Sequence, residues 1–324
     1  MRVVSLLPSV TEILGALGLS ESIVGITHAC DYPPEAVEGK AVVTSTEINP
    51  QAMSQEEIQR HVAGSLANGH SLYGLDAAQL EAADADVVLT QALCDVCAVS
   101  YPRVLSACAR VLAGGDEEEA PRPRVISLEP TTLDEVMGTI LQVGAACGAA
   151  DRAGGLVLQL RADLARTAGL VSARLGLPGA ARPRVAFLEW TDPLFSGGHW
   201  VPGQVEAAGG TYCGPKAGER SRALAPEELT AAGPEVIFVA PCGFDHERAA
   251  GDALQLYRHG WWRDLPAVRE GRVFALDANS YFARPGPRVV QGAALLAYLL
   301  HGVESSATPD GGWICLQAPV SGSG

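Results

Sequence analysis

Two cysteines three positions apart are the sharpest chemical feature of this sequence. Cys94 and Cys97 form a CxxC pair, a spacing that can place two thiolates on one metal ion or close a redox disulfide. No second CxxC completes a set of four ligands, so further ligands must come from other strand ends. The candidates there are His28, Cys30, His199 and Cys242. The metal alternative is a zinc-like site at His28, Cys94, Cys97 and His199. Two other roles of the thiols are also possible: redox chemistry, and packing or contact with a ligand.

Aromatic side chains recur just after apolar, strand-like segments, although aromatic residues make up only 6% of the chain. Such surfaces hold bulky or planar ligands, with a few polar groups that fix the orientation. Taken singly, each of these aromatic residues can instead belong to a core or a hinge. The set is Tyr32, Trp190, Trp200, Phe244, Tyr281 and Phe282. Together these residues predict a ligand-binding cleft.

The sequence offers little for catalysis. Glu189 and Asp192 are spaced as an acid/base pair, because paired carboxylates can acquire separated pKa values in a shielded cleft. Loop capping is an equally ordinary role for them. There is no GxSxG elbow, P-loop or GxGxxG fingerprint. We therefore expect a protein that is not an enzyme.

Charge and hydropathy limit the partners. With 23 basic and 37 acidic residues, the formal net charge is -14, which opposes attraction to phosphate backbones, so nucleic acid is not expected as a partner. Polar residues or breakers interrupt every apolar stretch before the roughly 20 residues that span a bilayer, so membrane insertion is not expected. No signal peptide precedes the strand-like segment 2–7, so we expect a cytoplasmic protein whose eight cysteines stay reduced.

Strand-like and helix-like segments alternate in two blocks, a pattern that favours an α/β fold with helices covering parallel or mixed sheets. The blocks predict an N-terminal α/β lobe at 1–130 and a C-terminal α/β lobe at 181–302. Between them, 131–180 is a helical connector in which a helix at 152–175, roughly 36 Å long, bridges the lobes. Gly, Ser and Pro after Val303 predict a flexible tail at 303–324.

The first helix carries its own start signal. Ser9 and Glu12 have the spacing of a capping box, in which the two side chains satisfy backbone donors at the helix start. A ligand near the same helix start is compatible with that role, since a helix N-terminus after a strand is a common binding position in α/β folds.

Five motifs carry a family resemblance: SLLPSVTEIL at 5–14, VGITHACDYP at 24–33, DVVLTQ at 86–91, GGHWVP at 197–202 and APCGF at 240–244. Over residues 1–301 the chain resembles the helical-backbone (class III) periplasmic binding proteins, in the branch similar to the vitamin B12-binding component of an ABC importer. The cysteine-containing motifs resemble a signal-less subgroup that is labelled cobalamin-binding.

The resemblance implies two Rossmann-like lobes joined by a long backbone helix, with a ligand cleft between the lobes. The implied ligand is a corrinoid, an iron chelate, haem or a bare metal. In the corrinoid interpretation, Tyr32, Trp190, Trp200, Phe244 and Tyr281 cover apolar faces. Gln91, Glu189 and Arg284 meet polar groups, and His28 or a cysteine contacts the metal centre.

The alternative is a metal-ion binding or trafficking protein that uses the histidines and cysteines named above as ligands. Without an export signal, docking to an ABC transporter is not expected, and capture or trafficking in the cytoplasm takes its place. We also expect a monomer.

Overall fold

The computed structural model describes residues 1–50, 52–67, 72–92, 99–112 and 123–317. The described residues group into two compact units. The first unit is drawn from Met1–Met53, Glu57–Pro130 and Val136–Leu158, and the second from Ser54–Glu56, Thr131–Glu135 and Gln159–Gly324. The mixed α/β fold class is confirmed, whereas the domain limits expected at 130 and 180 stay predictions.

A parallel sheet forms the centre of the first unit. The strands up to residue 127 are β1 (Val3–Ser5), β2 (Ile23–Ile26), β3 (Ala41–Val42), β4 (Thr44–Thr46), β5 (Tyr73–Leu75), β6 (Val87–Thr90) and β7 (Arg124–Ser127). Five of them make a parallel sheet in the order β3-β2-β1-β6-β7, while β4 and β5 form a separate antiparallel pair.

The helices of this part of the chain follow the strands in alternation. They are α1 (Pro8–Ala16), α2 (Pro34–Val37), α3 (Gln55–Ala67), α4 (Ala77–Ala82), α5 (Tyr101–Leu112) and α6 (Leu133–Ala146), with a 3-10 turn at Ser20–Ser22. The central strands β1 and β6 are buried along their whole length, with Val3 opposite Val87. Strands buried on both faces read as continuous apolar runs, so their polar residues are found at the strand ends.

The second unit is built on a mixed sheet. Its strands are β8 (Arg184–Thr191), β9 (Leu194–Ser196), β10 (Thr211–Tyr212), β11 (Arg222–Ala223), β12 (Val236–Val239), β13 (Val273–Leu276) and β14 (Trp313–Leu316). The order is β11-β9-β8-β12-β13-β14, with β10 also paired to β8. β8, β12 and β13 are parallel to one another, and β9 and β14 run antiparallel to their neighbours.

The helices of this part of the chain precede, separate or follow these strands in the sequence. They are α7 (Ala150–Leu175), α8 (Val201–Ala207), α9 (Pro226–Ala232), α10 (His246–Leu256), α11 (Gly260–Arg263), α12 (Pro266–Arg269), α13 (Ala278–Tyr281) and α14 (Val289–His301). α7 confirms the long helix expected at 152–175. Its 26 residues correspond to about 39 Å. Residues up to Leu158 belong to the first unit, and the helix continues into the second. None of the helices in the described part of the chain is long and apolar enough to cross a membrane.

The start of α1 corrects the capping-box prediction. The helix begins at Pro8 after the N-cap residue Leu7, which makes no side-chain capping bond. Ser9 and Glu12 lie two residues too far along the helix to cap it, and both are buried. Pro8 explains the shift, because proline has the φ of a first helical residue and no N–H that needs a cap.

The chain after residue 303 corrects a second prediction. A flexible tail was expected from 303 onwards, but Trp313–Leu316 form β14, which pairs antiparallel with β13 over four residues. Leu316 is buried in the apolar core of the second unit, and the Trp313 ring meets the ring of Phe274 edge-on, with centroids 6.2 Å apart. Composition alone missed the strand because its apolar residues find their partner some 40 positions away in the sequence.

We predict that Leu316→Ala lowers the free energy of unfolding by about 3 kcal/mol, since it leaves a cavity in a packed core. The matched control is Cys315→Ala on the same strand, where the side chain is exposed and the change should stay within about 0.5 kcal/mol. Urea denaturation measures both. Equal, small effects of the two substitutions would contradict the packing of β14 into the core.

Candidate functional site

The strand order of the first unit reverses at β1. The chain adds β2 and β3 on one side of β1 and later β6 and β7 on the other. In open α/β sheets, the carboxyl ends of the strands at such a switch point are the usual place for a ligand. Gln91 follows β6 directly and is half-buried, so this predicted residue lies at the switch point. Thr90 ends the strand, and its buried hydroxyl has no hydrogen-bond partner among the described residues.

His28 follows the neighbouring strand β2 and is held on two sides. Its Nδ1 lies 2.8 Å from the hydroxyl of Thr44, the first residue of β4. Its ring stacks on that of Tyr73 in β5, with the ring centroids 5.5 Å apart and the planes 28° from parallel. The antiparallel pair β4 and β5 therefore supplies both contacts that orient the imidazole.

The hydrogen bonds of Thr44 determine which ring nitrogen of His28 carries the proton. The Thr44 hydroxyl donates its one hydrogen to Thr27 Oγ1 at 2.9 Å and accepts the backbone N–H of His28 at 3.0 Å. It must then accept from Nδ1 as well, so Nδ1 carries the hydrogen. In the neutral ring Nε2 holds the lone pair, which is the form that binds metals. In the part of the chain that the structure describes, Nε2 has no hydrogen-bond partner.

Burial favours the neutral form of this ring. Desolvation lowers the pKa of His28 from its ordinary value of 6.5 because a buried site disfavours the charged form. At neutral pH, His28 therefore presents an uncharged, oriented Nε2.

The other predicted residues of this loop differ in exposure. Cys30 is only 8% exposed, and its Sγ lies 3.0 Å from Thr11 Oγ1 inside the unit. The thiol thus makes a hydrogen bond inside the unit. Tyr32, by contrast, is 45% exposed and presents its ring to solvent.

The second unit has its own switch point, between β8 and β12. β9 and β10 lie on one side of β8, whereas β12 and β13 lie on the other. Four predicted residues come from the carboxyl ends of these two strands. They are Glu189, Trp190, Cys242 and Phe244. The backbone N–H of Cys242 donates to the carbonyl of Glu189 at 3.4 Å, which joins the two strand ends.

An aromatic and cationic stack lies at this second switch point. The ring centroids of Trp190 and Phe244 are 5.5 Å apart. The guanidinium carbon of Arg248 lies 5.0 Å from the ring centroid of Phe244. Asp252 pairs with Arg248 at 3.4 Å. Phe244 is fully buried and packs against the half-buried ring of Trp190. The indole N–H of Trp190 is buried and lacks a hydrogen-bond partner within the described residues.

His199 and Trp200 form a separate pair. His199 has a φ of 54°, which is unusual for a residue other than glycine. Two hydrogen bonds hold its backbone: its N–H donates to the carbonyl of Glu219, and its carbonyl accepts from the N–H of Gly218. Burial, together with the Arg220 charge, lowers the pKa of His199. The buried Trp200 donates its indole N–H to the carbonyl of Phe282 at 2.8 Å, a core role.

Of the remaining predicted residues, Tyr281 and Arg284 are half-buried and Cys242 is exposed. Tyr281 meets Phe282 edge-on, with the ring centroids 6.3 Å apart. Cys94 and Cys97 lie outside the described residues, so the CxxC site stays a prediction. No group of three or more His, Cys, Asp or Glu side chains suited to a metal ion occurs in the ranges that the structure describes.

Sequence reasoning missed the residues that orient the predicted ones. Thr44 and Tyr73 hold His28, and Arg248 covers Phe244. Thr44 begins β4 just after β3 ends at Val42, so its role depends on the pairing of β4 with β5. For Tyr73 and Arg248, the sequence carries no periodic signal that pairs them with the site.

We predict that the free energy of unfolding decreases as the pH falls below 6.5, in part through His28. With its pKa lowered in the folded state, His28 binds more protons in the unfolded chain below pH 6.5, so acid favours unfolding. His28→Gln should lose part of this pH dependence, whereas His61→Gln, at an exposed position of α3, should keep it. Urea denaturation at a series of pH values tests this, and identical pH profiles for wild type and His28→Gln would contradict it.

Solved structures with the same fold include several solute-binding proteins. The periplasmic heme-binding protein RhuT from Roseiflexus sp. RS-1 is 26% identical, with a TM-score of 0.67 over 93% of this chain and 98% of that one. A periplasmic heme-binding protein from Pseudomonas aeruginosa is 20% identical, with a TM-score of 0.65 and 94% coverage of both chains. The periplasmic vitamin B12-binding protein BtuF of Vibrio cholerae is 19% identical, with a TM-score of 0.64 over 92% of this chain and 96% of that one.

Among curated protein sequences, none matches the chain significantly. The family model described as periplasmic binding protein matches residues 106–280, more than half of the chain. That match covers part of the first unit and most of the second, including the switch point between β8 and β12. The chain therefore belongs to the periplasmic binding protein family, a family of substrate-binding proteins.

Proposed function

We propose that this protein binds a metal chelate of the tetrapyrrole class, a corrinoid or haem, and that Nε2 of His28 contacts the metal. The observation that carries the proposal is the geometry of His28, with Nδ1 bonded to Thr44 and the lone pair of Nε2 left for a ligand. A chelated metal already has four ring nitrogens, so the protein needs to supply only an axial donor.

The surroundings of His28 suit such a ligand. Metal-binding histidines are oriented by a hydrogen bond from the other ring nitrogen, the role that Thr44 plays here. Tyr32 lies four residues away and exposes an aromatic surface that a flat macrocycle can cover. Since burial lowers the pKa of His28, the ring does not need to lose a proton before it binds metal near pH 7.

Two lines of support point to different tetrapyrroles. The sequence motifs resemble a subgroup labelled cobalamin-binding, whereas RhuT, at 26% identity, is a heme-binding protein. A corrinoid and haem both hold a metal ion in a macrocycle, and that metal can take a donor atom from a protein. The proposal is therefore for the class, and both ligands belong in the experiment.

We propose that Trp190 also contacts the ligand. Its ring rests on Phe244, and its buried N–H is a donor that an acceptor on the ligand can satisfy. The roles predicted for Glu189, Tyr281 and Arg284 towards polar groups of the ligand stay proposals of the same kind.

The first test is an absorption titration of the purified protein with haemin and with aquocobalamin. Wild type should shift the visible bands of at least one of them, and His28→Ala should weaken binding about a hundredfold. Thr44→Val, which removes only the orienting hydroxyl, should weaken binding about tenfold. His61→Ala, an exposed histidine of the first unit, should bind like wild type.

Two outcomes would contradict the proposal. In one, wild type binds neither compound. In the other, His28→Ala leaves the spectrum of the bound metal unchanged. Tight binding of Zn²⁺ alone, abolished by Cys94→Ser with Cys97→Ser, would support the metal-ion alternative instead.

The second test replaces Trp190 by Ala. We expect a loss of about 2 kcal/mol in binding free energy, or roughly thirtyfold in affinity, for the tetrapyrrole that wild type binds. The matched control is Trp261→Ala, another half-buried tryptophan of the second unit, at a position where no ligand contact is proposed. Calorimetry distinguishes the two, and equal affinities would remove Trp190 from the site.

A further inference from the structure

A cluster of basic side chains lies at the end of the second unit's sheet opposite the candidate site. Arg182 precedes β8 by two residues and Arg272 immediately precedes β13, so both are at the amino ends of parallel strands. Arg174 is in the last turn of α7, and His301 is the last residue of α14. We call Arg174, Arg182, Arg272 and His301 the basic cluster.

Contacts of these residues or of their neighbours place all four around one turn. His301 Nε2 lies 3.2 Å from the carbonyl of Gly209, and Arg272 donates to the carbonyl of Leu300 at 3.3 Å. A Cβ on Gly209 would stand 2.4 Å from Val171, which precedes Arg174 by about one helical turn.

The segment after Gly209 lies next to Arg182, the fourth member of the basic cluster. The N–H of Thr211 donates to the carbonyl of Pro183 at 2.8 Å, next to Arg182. The basic cluster therefore surrounds the turn at 209–211, which packs between the ends of α7 and α14.

Carboxylates near the basic cluster do not pair with it in the described part of the chain. Across the described ranges, no acidic side chain forms an ion pair with Arg174, Arg182 or Arg272. Glu235, at the same edge of the sheet, pairs with Arg184. Glu206, Glu270 and Glu304, each within three residues of Gly209, Arg272 or His301, are exposed and make no hydrogen bond or ion pair with these arginines. This is unusual in a chain with a net charge of -14.

Two helix ends account for only part of that charge. The carboxyl ends of α7 and α14 are adjacent, and each carries about half a negative charge from its unpaired carbonyls. Together the two helix ends offset about one of the three guanidinium charges. Helix capping alone therefore does not explain the basic cluster.

The arginines of the basic cluster affect the titration of His301. Burial lowers its pKa first, and the charges of Arg174, Arg272 and Arg182 lower it further. The bond to the carbonyl of Gly209 is the only influence that raises it. Among the described residues, the charges that act on the imidazole are those of these three arginines.

We propose that the basic cluster binds an oxyanion of the phosphate type, carried either by a small phosphorylated compound or by a lipid headgroup. Guanidinium groups match the geometry of phosphate oxygens and donate to two of them at once. Arg174 and Arg182 are exposed, so their donors are open to an incoming anion. Leu177 lies between them in sequence, is 54% exposed and would meet the surface of a lipid.

The test measures binding of inorganic phosphate and pyrophosphate to the full chain by calorimetry at low ionic strength, since salt screens exposed charges. Arg182→Gln and Arg174→Gln should each weaken binding by about fivefold, the effect of one unit charge at contact distance in water. Arg258→Gln, an exposed arginine of the second unit outside the basic cluster, removes the same charge and should leave affinity unchanged.

The source of the phosphate group is distinguished by a sedimentation assay with phosphatidylcholine vesicles that contain or lack phosphatidate. Binding of the soluble anions alone indicates a small phosphorylated compound, and binding of phosphatidate vesicles that Arg182→Gln weakens indicates a headgroup. Either result supports the basic cluster as an oxyanion site. The proposal is overturned when neither probe binds, or when Arg258→Gln weakens binding as much as Arg182→Gln. Unchanged melting temperatures of the variants exclude misfolding as the cause.

Discussion

Complete burial of the central parallel strands is the constraint on which the rest of this structure depends. β1 and β6 in the first unit, and β12 and β13 in the second, expose almost no surface along their length. A polar side chain there would lose its hydration without gaining partners. Polar and aromatic residues therefore concentrate where the strands end, and the order of the strands decides which of these ends are neighbours. The candidate sites lie at strand ends for this reason.

His28 illustrates how a strand end becomes a chemically defined group. The apolar strand β2 positions its backbone, but the state of the imidazole is set by Thr44 and Tyr73 from the antiparallel pair β4 and β5. The Thr44 hydroxyl accepts hydrogen bonds from the backbone N–H and the Nδ1–H of His28 and donates its own hydrogen bond to Thr27. Thr44 therefore sets which ring nitrogen of His28 carries the hydrogen.

The two ends of the second unit's sheet have opposite chemical character. The carboxyl ends of β8 and β12 present aromatic rings supported by Arg248 and Asp252. The amino ends of β8 and β13 gather arginines around two helix ends. Parallel strands make this separation possible, because each edge of the sheet collects the same end of every parallel strand. One unit can therefore have two binding surfaces that share no residue.

The amino-acid sequence by itself determined the alternation of elements, the length of α7 and the family, because apolar periodicity and short motifs are local properties. It also pointed to His28, Trp190 and Phe244, since each directly follows an apolar run or lies near its end. Only the tertiary structure decided that Thr44 orients His28, that Cys30 and Phe244 are buried, and that Trp313–Leu316 form a strand. These features depend on contacts between residues distant in the chain, and such contacts leave no local pattern from which they could be predicted.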